Sequence, residues 1–193
     1  MDKQSLIEFL HARNISSPSI IALISESFFE KHVPRNTLFL QAGRVSDEYL
    51  FLASGFMRAY VHDTEGNEVT TNFYNDHQVV FEVSSFFNRT TSKENIQAME
   101  DCMGWCITYE QLNRLFHDLP EFREFGRSIL VKGFAALKTR MISMITETAE
   151  QRYADLLNSN PEIFQHAPLK YIASYLGITD TSLSRIRKDY AKK

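Results

Sequence analysis

The sequence predicts an α+β protein: an antiparallel, jelly-roll-like β-roll with flanking helices, then a long helix, then a C-terminal helix-turn-helix. Three observations predict this order. Short apolar runs alternate with turn residues from about His32 to Ile107, a helical apolar period follows Pro120, and a compact two-helix pattern begins at Leu169. The corresponding parts of the 193-residue chain are a β-roll domain over 1–117, a long helix over 118–146 and a helix-turn-helix domain over 147–193.

Two short helices are predicted before the β-roll. Apolar side chains recur at helical spacing in residues 4–29, and the dipeptide Ser17-Pro18 divides them. Serine is a preferred N-cap residue, and proline is favoured at the first helical position because its missing N–H needs no intrahelical partner there. We therefore expect the second helix to begin at this dipeptide.

Seven short runs rich in aromatic and β-branched residues predict the strands. Turn residues separate them, as in Ala42-Gly43, Ser54-Gly55 and residues 63–67. Short strands at even spacing are typical of an antiparallel sandwich or roll, and Ser84–Phe87 interrupts them as an expected helical turn. The predicted strands are Thr37–Leu40, Tyr49–Leu52, Phe56–Val61, Val69–Tyr74, Val79–Val83, Asn95–Met99 and Cys102–Ile107.

The two cysteines, Cys102 and Cys106, are predicted to be buried thiols of the last strand. Residues four apart on a strand share a face but lie roughly 13 Å from each other. That separation excludes a disulfide between them. A metal or cluster site would need more Cys or His ligands nearby, so we predict no metal site.

A narrow apolar seam marks the long helix after Pro120. Successive apolar residues of this seam are separated by four and three positions in turn, which is the spacing of a coiled-coil interface. We favour a parallel homodimer formed through this seam; the alternative is a single helix packed on its own domain. The predicted dimerisation residues are Leu130, Phe134, Leu137, Met141 and Met144.

The C-terminal pattern predicts a helix-turn-helix. Such a motif needs a small residue where its helices cross, which Ala173 supplies, and a residue tolerant of positive φ in the tight turn, which Gly177 supplies. Thr179 is placed to cap the second helix. The predicted shared core consists of Ile172, Leu176, Ile178, Leu183 and Ile186.

The outer face of the second predicted helix carries short polar and basic side chains, which can reach base edges and phosphates in a major groove. Arg185 is expected to read a base, supported by Ser182 and Ser184. Asp180 repels phosphate, but it interacts favourably with the dipole at the helix N-terminus. The predicted DNA-binding residues are Lys170, Tyr171, Thr179, Thr181, Ser182, Ser184, Arg185, Arg187 and Lys188.

Composition and charge are those of a globular protein with a basic end. Hydrophobic residues make up 44% and charged residues 23% of the chain. Residues 168–193 hold six basic and two acidic residues, a net charge of +4, which leaves −7 on the rest of a chain whose net charge is −3. This asymmetry predicts contact with a polyanion at one tip. No apolar run approaches the roughly 20 residues of a membrane helix and the N-terminus lacks a signal-peptide pattern, so we expect a cytoplasmic protein with no membrane contact.

This order of elements resembles the Crp/Fnr family of cyclic-nucleotide-receptor-like transcription regulators over nearly the whole chain. Residues 49–58 and 66–68 resemble that family's glycine-marked strand pairs, and 170–178 with 182–187 is similar to its compact, Bacteroidetes-type members. The resemblance implies a homodimer that binds a palindromic operator in double-stranded DNA, with half-sites about one helical turn apart. It also implies RNA polymerase as a protein partner.

The cyclic-nucleotide pocket implied by the resemblance departs from the family pattern. The family uses a Gly-Glu pair and, further along, an arginine that pairs with the phosphate. Here Phe81 replaces the glycine, Glu82 remains, the arginine position falls on Ser92, and Glu94 adds negative charge. Lys93 lies one residue along, which points to the opposite face of a strand. We therefore expect no tight cyclic AMP binding: either Phe81 fills the pocket or an unknown, more apolar small-molecule effector binds. The predicted effector-pocket residues are Phe81, Glu82, Val83, Ser92 and Lys93.

No cofactor is evident from the sequence. Family members with an iron–sulfur cluster carry several cysteines near the N-terminus, where this chain has none. Haem would need an axial ligand, and His32, His62 and His77 are scattered single residues. The family's DNA-binding domain usually continues into a β-hairpin wing, and we expect Lys192 and Lys193 to replace part of its phosphate contacts.

The leading functional hypothesis is a homodimeric, sequence-specific DNA-binding regulator with a degenerate sensor domain. The alternative is a small-molecule sensor that acts through protein contacts and keeps only weak or vestigial DNA binding. We do not expect an enzyme, because the sequence has no phosphate-binding glycine loop or nucleophile motif, and Glu82 and Glu94 are isolated acids. The salt dependence of DNA affinity separates the first two hypotheses.

Overall fold

The computed structural model describes residues 3–190, and Lys192 and Lys193 lie outside them. The helices are α1 (Gln4–His11), α2 (Pro18–Glu26), α3 (Val83–Asn88), α4 (Tyr109–Asp118), α5 (Pro120–Thr146), α6 (Ala149–Ser159), α7 (Ile163–His166), α8 (Leu169–Tyr175) and α9 (Asp180–Tyr190). The strands are β1 (Phe29–Val33), β2 (Leu38–Leu40), β3 (Glu48–Ser54), β4 (Met57–His62), β5 (Glu68–Tyr74), β6 (Gln78–Val80), β7 (Asn95–Ala98) and β8 (Cys102–Thr108).

The strands form two antiparallel four-stranded sheets, which confirms the predicted roll. One sheet has the order β1-β8-β3-β6 and the other the order β2-β7-β4-β5. Alternation along each strand separates the faces, so that Met57 and Ala59 are buried between the sheets whereas Arg58 projects outwards. We call the first sheet A and the second sheet B.

Three apolar clusters organise the molecule in layers. The first packs α1, α2, α4 and the start of α5 on the outer face of sheet A, around Phe51 and Phe122. The second fills the roll between the sheets and includes Leu52 and Ile96. The third joins Phe56 and Phe73 on the outer face of sheet B to α6–α9. The helix-turn-helix is therefore packed on the roll.

Several predicted boundaries need correction. The strand β1 was not predicted, because Glu30 and Lys31 break the apolar alternation of an edge strand that is exposed over most of its length. Val79–Val83 was predicted as one strand, but β6 ends at Val80 and the chain turns into α3, as expected for Ser84–Phe87. Helix α4, capped by Thr108 in a capping box with Gln111, was not predicted either.

Two other local predictions are confirmed, the start of the second helix and the burial of the two thiols. Helix α2 begins at Pro18, with Ser17 at the N-cap position, although the Ser17 hydroxyl bonds to that of Ser19 at 3.0 Å and makes no capping bond. Cys102 and Cys106 lie on β8 as buried, free thiols. Within the described residues, no helix is long and apolar enough to cross a bilayer.

Candidate nucleic-acid interface and effector segment

The helix-turn-helix forms as the sequence predicts. Ala173 is fully buried where α8 and α9 cross, and Gly177 has φ +67° in the turn between them. Thr179 Oγ1 accepts the N–H of Ser182 at 3.2 Å, which caps α9. Leu183 is buried on the shared apolar side. These contacts fix the position of α9, the second helix of the motif.

Most of the predicted DNA-binding residues lie on one open surface. Arg185 and Lys188 are exposed on α9, and Lys170 is exposed on α8. Thr179 and Ser182 are partly engaged in capping, with their hydroxyls 3.0 Å apart. The remaining exposed members on α9 are Thr181, Ser184 and Arg187. This surface has the short polar and basic side chains that a major groove requires.

Tyr171 is not brought to this surface. It is half-buried where α8 meets the roll, and its ring lies 3.4 Å from the guanidinium carbon of Arg58. The ammonium group of Lys170 lies 4.7 Å from the same ring. Tyr171 therefore contacts the roll in this arrangement, whereas Lys170 keeps an exposed position beside the recognition helix.

Both carboxylate oxygens of Glu82 accept hydrogen bonds from backbone N–H groups. One oxygen accepts the N–H of Ser84 at 3.0 Å and the other the N–H of Ser85 at 2.6 Å, so that Glu82 is the N-cap of α3. Phe81 was predicted to line or fill the effector pocket. Its ring packs against Tyr49 at 4.9 Å in the cluster between sheet A and the helices, outside the roll interior.

The other predicted pocket residues do not converge on one cavity. The Ser92 hydroxyl donates to Glu94 O at 2.8 Å, and the backbone of Ser92 bonds to Gly43 and Arg44, which ties two loops together. Val83 is 49% exposed and Lys93 is exposed. Ser92 thus closes a loop and Glu82 caps α3, whereas Val83 and Lys93 lie at the surface.

A partly buried carboxyl group, that of Glu94, lies close to this segment in the sequence. Burial raises the pKa of the Glu94 carboxyl above its ordinary value, and the Glu82 carboxylate acts in the same direction. Burial also raises the pKa of Tyr74 to about 12, and both carboxylates contribute to that rise. Tyr74 is therefore a buried hydroxyl near two carboxyl groups.

The long helix α5 leaves a broad apolar face uncovered. Phe134 is 69% and Leu137 62% exposed, which places the centre of this face near the predicted seam. Leu130 and Met144 are only 37% and 40% exposed, and the end of the Met144 side chain lies beside Gly177 of the helix-turn-helix. The other exposed apolar side chains of α5 are Val131, Met141, Ile142 and Ile145.

Comparisons with known proteins agree with this architecture. Residues 30–118 match the family model of the cyclic nucleotide-binding domain. FixK2 from Bradyrhizobium japonicum superposes with a TM-score of 0.72 at 15% identity, over 86% of this chain and 85% of that one. A protein described as a transcriptional regulator of the Crp/Fnr family, from Eubacterium rectale, gives 0.72 at 18% identity over 95% and 88%. The chain has the Crp/Fnr fold.

A further Crp/Fnr-type neighbour is CLP from Xanthomonas campestris, described as a global regulator that responds to c-di-GMP. It superposes with a TM-score of 0.71 at 16% identity, over 91% of this chain and 92% of that one. At such identities the likeness establishes the fold alone. No curated protein sequence matches the chain. The resemblance seen in the sequence is thus confirmed for the cyclic nucleotide-binding domain and for the Crp/Fnr fold.

In this Crp/Fnr-type chain, the residues of the effector segment form hydrogen bonds with nearby backbone groups. The Glu82 oxygens that would hold a ribose hydroxyl already accept two backbone N–H groups. The position of the phosphate-binding arginine is Ser92, which closes a loop.

Sequence reasoning missed two arginines of this Crp/Fnr-type chain that join the roll to its helix-turn-helix. Arg58 is fully buried and contacts Tyr171, and Arg140 on α5 donates to Tyr175 O at 3.0 Å. A signal for Arg58 was present, because the strand residues of one face, Phe56, Arg58 and Tyr60, are all large. A strand whose outward face is aromatic and bulky is typically covered by another element.

Proposed function

We propose that the chain is a homodimeric, sequence-specific DNA-binding transcription regulator that acts in the cytoplasm and contacts RNA polymerase. The observation that carries this proposal is the exposed polar and basic surface of α9, presented by a fully formed helix-turn-helix. Arg185 is the base-reading residue, since its guanidinium can form paired hydrogen bonds with a guanine edge. Lys170, Arg187 and Lys188 hold phosphates.

Dimerisation through α5 supports the same proposal. Phe134 and Leu137 form an exposed apolar face on a 27-residue helix, and surfaces of this kind mark protein interfaces. A second copy paired along α5 presents a second recognition helix, and two-fold related recognition helices read palindromic half-sites.

The sensor part of the proposal is a roll that has lost the cyclic-nucleotide site. The loop-closing role of Ser92 and the capping role of Glu82 support it. Thermal unfolding with millimolar cyclic nucleotides tests this part, because a ligand at 100 times its dissociation constant would stabilise the fold by about 2.7 kcal/mol. We expect no shift with cyclic AMP; a shift would show that other groups hold the phosphate.

DNA binding is tested by selecting duplexes from a random pool and titrating the best one by fluorescence anisotropy at two salt concentrations. We expect the affinity to fall steeply with salt, because each neutralised phosphate releases counterions. Arg185→Ala should cost about 1–3 kcal/mol on the selected duplex and relax the preference at one base pair. An equal loss on selected and random duplexes would make Arg185 a phosphate contact.

Arg35→Ala serves as the matched control, because Arg35 is an exposed arginine of the roll, remote in sequence from α8 and α9. It should leave both the affinity and its salt dependence unchanged. Weak binding without any selected sequence would favour the alternative, a sensor that acts through protein contacts with vestigial DNA binding.

A further inference from the structure

A paired contact of two hydroxyl side chains docks α8 on β5. The hydroxyl of Ser174 accepts the N–H of Thr70 at 3.1 Å and lies 2.9 Å from Thr70 Oγ1. Thr70 is 1% exposed. This pair fixes the first helix of the helix-turn-helix to the outer face of sheet B.

Arg140 joins three elements at the same place. Its guanidinium donates to Thr71 O of β5 at 2.8 Å and to Tyr175 O at the end of α8 at 3.0 Å. It also lies 4.0 Å from the centre of the Tyr175 ring. A charged donor on α5 thus holds β5 and α8 together, and bonds of this kind are stronger than those between neutral groups.

Arg58 forms the second half of this junction. Its guanidinium lies between two rings, 4.2 Å from the centre of Tyr60 and 3.4 Å from that of Tyr171. Its Nη2 donates to Glu68 Oε2 at 2.6 Å and to Gln97 Oε1 at 3.2 Å. The cation is therefore stacked between the roll and α8.

The docked helix completes the environment of Arg58. The side chain is fully buried, yet its Nε and Nη1 have no hydrogen-bond partner within residues 3–190. A buried cation with unsatisfied donors is costly, and the aromatic faces compensate part of that cost. Tyr171 supplies one of those faces only while α8 stays on sheet B.

Undocking would also expose apolar surface. Phe56 and Phe73 stack with their centroids 5.5 Å apart, and they are 1% and 4% exposed. Their other aromatic contacts are with the helix-turn-helix domain: Phe73 with Tyr175 at 5.2 Å and Phe56 with His166 at 5.4 Å. Removing that cover would bring both rings into water, which is unfavourable.

The docked arrangement leaves the recognition helix open. The docking contacts come from α7 and α8 and from Arg140 of α5, whereas Arg185 and Lys188 of α9 remain exposed. The contact with the roll therefore does not cover the surface proposed to bind DNA. Docking orients that surface relative to α5, the helix proposed to form the dimer.

We propose that Arg58 and Arg140 form a two-arginine clamp that holds the helix-turn-helix in the orientation in which it binds DNA. Opening the clamp lowers DNA affinity, because the two recognition helices of a dimer lose their fixed separation. This inference rests on the proposed function, and it makes docking on sheet B a condition for binding.

A reversible crosslink tests the clamp in the full chain. Thr70→Cys with Ser174→Cys places two thiols where the hydroxyls lie 2.9 Å apart, while the native cysteines are buried. We expect the oxidised variant to bind the selected duplex as tightly as the reduced one. Loss of binding on oxidation, restored by reduction, would overturn the proposal, because the docked arrangement would then be a resting state. The single variant Thr70→Cys controls for oxidation itself.

Removal of the clamp gives the complementary test. Arg58→Met and Arg140→Met should each weaken binding about tenfold if the docked arrangement falls to about a tenth of the molecules, since apparent affinity scales with the competent fraction. The matched controls Arg35→Met and Arg123→Met replace exposed arginines of the roll and of α5 and should bind normally. Unchanged or tighter binding by the clamp variants would contradict the proposal.

Crosslinking the Arg58→Met variant distinguishes loss of the helix-turn-helix orientation from a general loss of stability. If Arg58 acts by positioning α8, the disulfide between positions 70 and 174 should restore the lost DNA affinity. If Arg58→Met weakens binding for another reason, the disulfide should not restore it. Hydrogen exchange provides a readout without DNA, because release of α8 should speed exchange of the Thr70 amide. Absence of DNA binding by the wild-type chain would refute the proposed function, whereas unchanged Thr70 exchange in both clamp variants would refute the clamp.

Discussion

Truncation of Phe134 should dissociate the dimer. This side chain is 69% exposed at the centre of the apolar face of α5. A phenylalanine offers about 150–250 Å² for burial, so about 100–170 Å² is available, worth about 3 kcal/mol at about 25 cal/mol per Å². Alanine would keep part of that area, which leaves a loss of about 2 kcal/mol per copy. A two-fold interface contains the side chain twice, so the loss is about 4 kcal/mol, or about a thousandfold in the dissociation constant.

Sedimentation equilibrium of wild-type protein and Phe134→Ala over a micromolar concentration range measures this change. Leu38→Ala is the matched control, because Leu38 is 41% exposed on the edge of the roll, away from α5. It should leave the dimer intact. A Phe134→Ala protein that sediments as the same dimer as wild type, or a wild-type protein that is monomeric at these concentrations, would refute pairing through α5.

The remaining predictions concern the turn, the buried carboxyl and the thiols. Gly177→Ala should destabilise the fold by about 1–2 kcal/mol in urea unfolding, because φ is +67° there, whereas Gly133→Ala in the open middle of α5 should be neutral or stabilise by up to about 1 kcal/mol. A loss at both glycines would contradict this assignment. Burial raises the pKa of Glu94 in the folded chain, so the folded state binds more protons than the unfolded state and stability falls as pH rises above the ordinary value of about 4.3. Glu94→Gln should therefore raise the unfolding temperature at pH 7–8 and lose this advantage near pH 4; an advantage independent of pH would exclude titration as its cause. Cys102 and Cys106, 3% and 0% exposed with pKa values raised by burial, should react with a thiol reagent only at the rate of unfolding, and fast labelling of the native chain would disprove their burial.

The sequence predicted the elements whose signals are local. The Ala173 and Gly177 pair with a capping Thr179 specified the helix-turn-helix, because crossing, turn and cap each demand a residue type at one position. The strands of the roll followed from alternation, except β1, where charged edge residues replace apolar ones. Patterns of this kind depend on neighbours along the chain.

The contacts that the sequence did not predict join residues far apart in the chain. Tyr171 was predicted to contact DNA, but its ring packs on Arg58, more than 100 residues earlier in the sequence. Similarly, the family resemblance placed Glu82 at a ligand-binding position, whereas its carboxylate caps the N-terminus of α3. Which of two plausible partners a polar side chain selects depends on packing between layers, which one sequence does not encode locally.

The shared cluster beneath the helix-turn-helix limits how freely the two halves of this chain could be exchanged with those of other proteins. Phe56 and Phe73 belong to the roll in sequence, but they are buried together with Ile172 and Leu176 of the C-terminal segment. A chimera that joined this roll to the DNA-binding domain of another protein would need a domain whose surface fits Phe56 and Phe73. Without such a fit, both aromatic rings would be exposed to water. Changes in DNA preference are therefore better tolerated at exposed α9 positions than by swapping the whole C-terminal part.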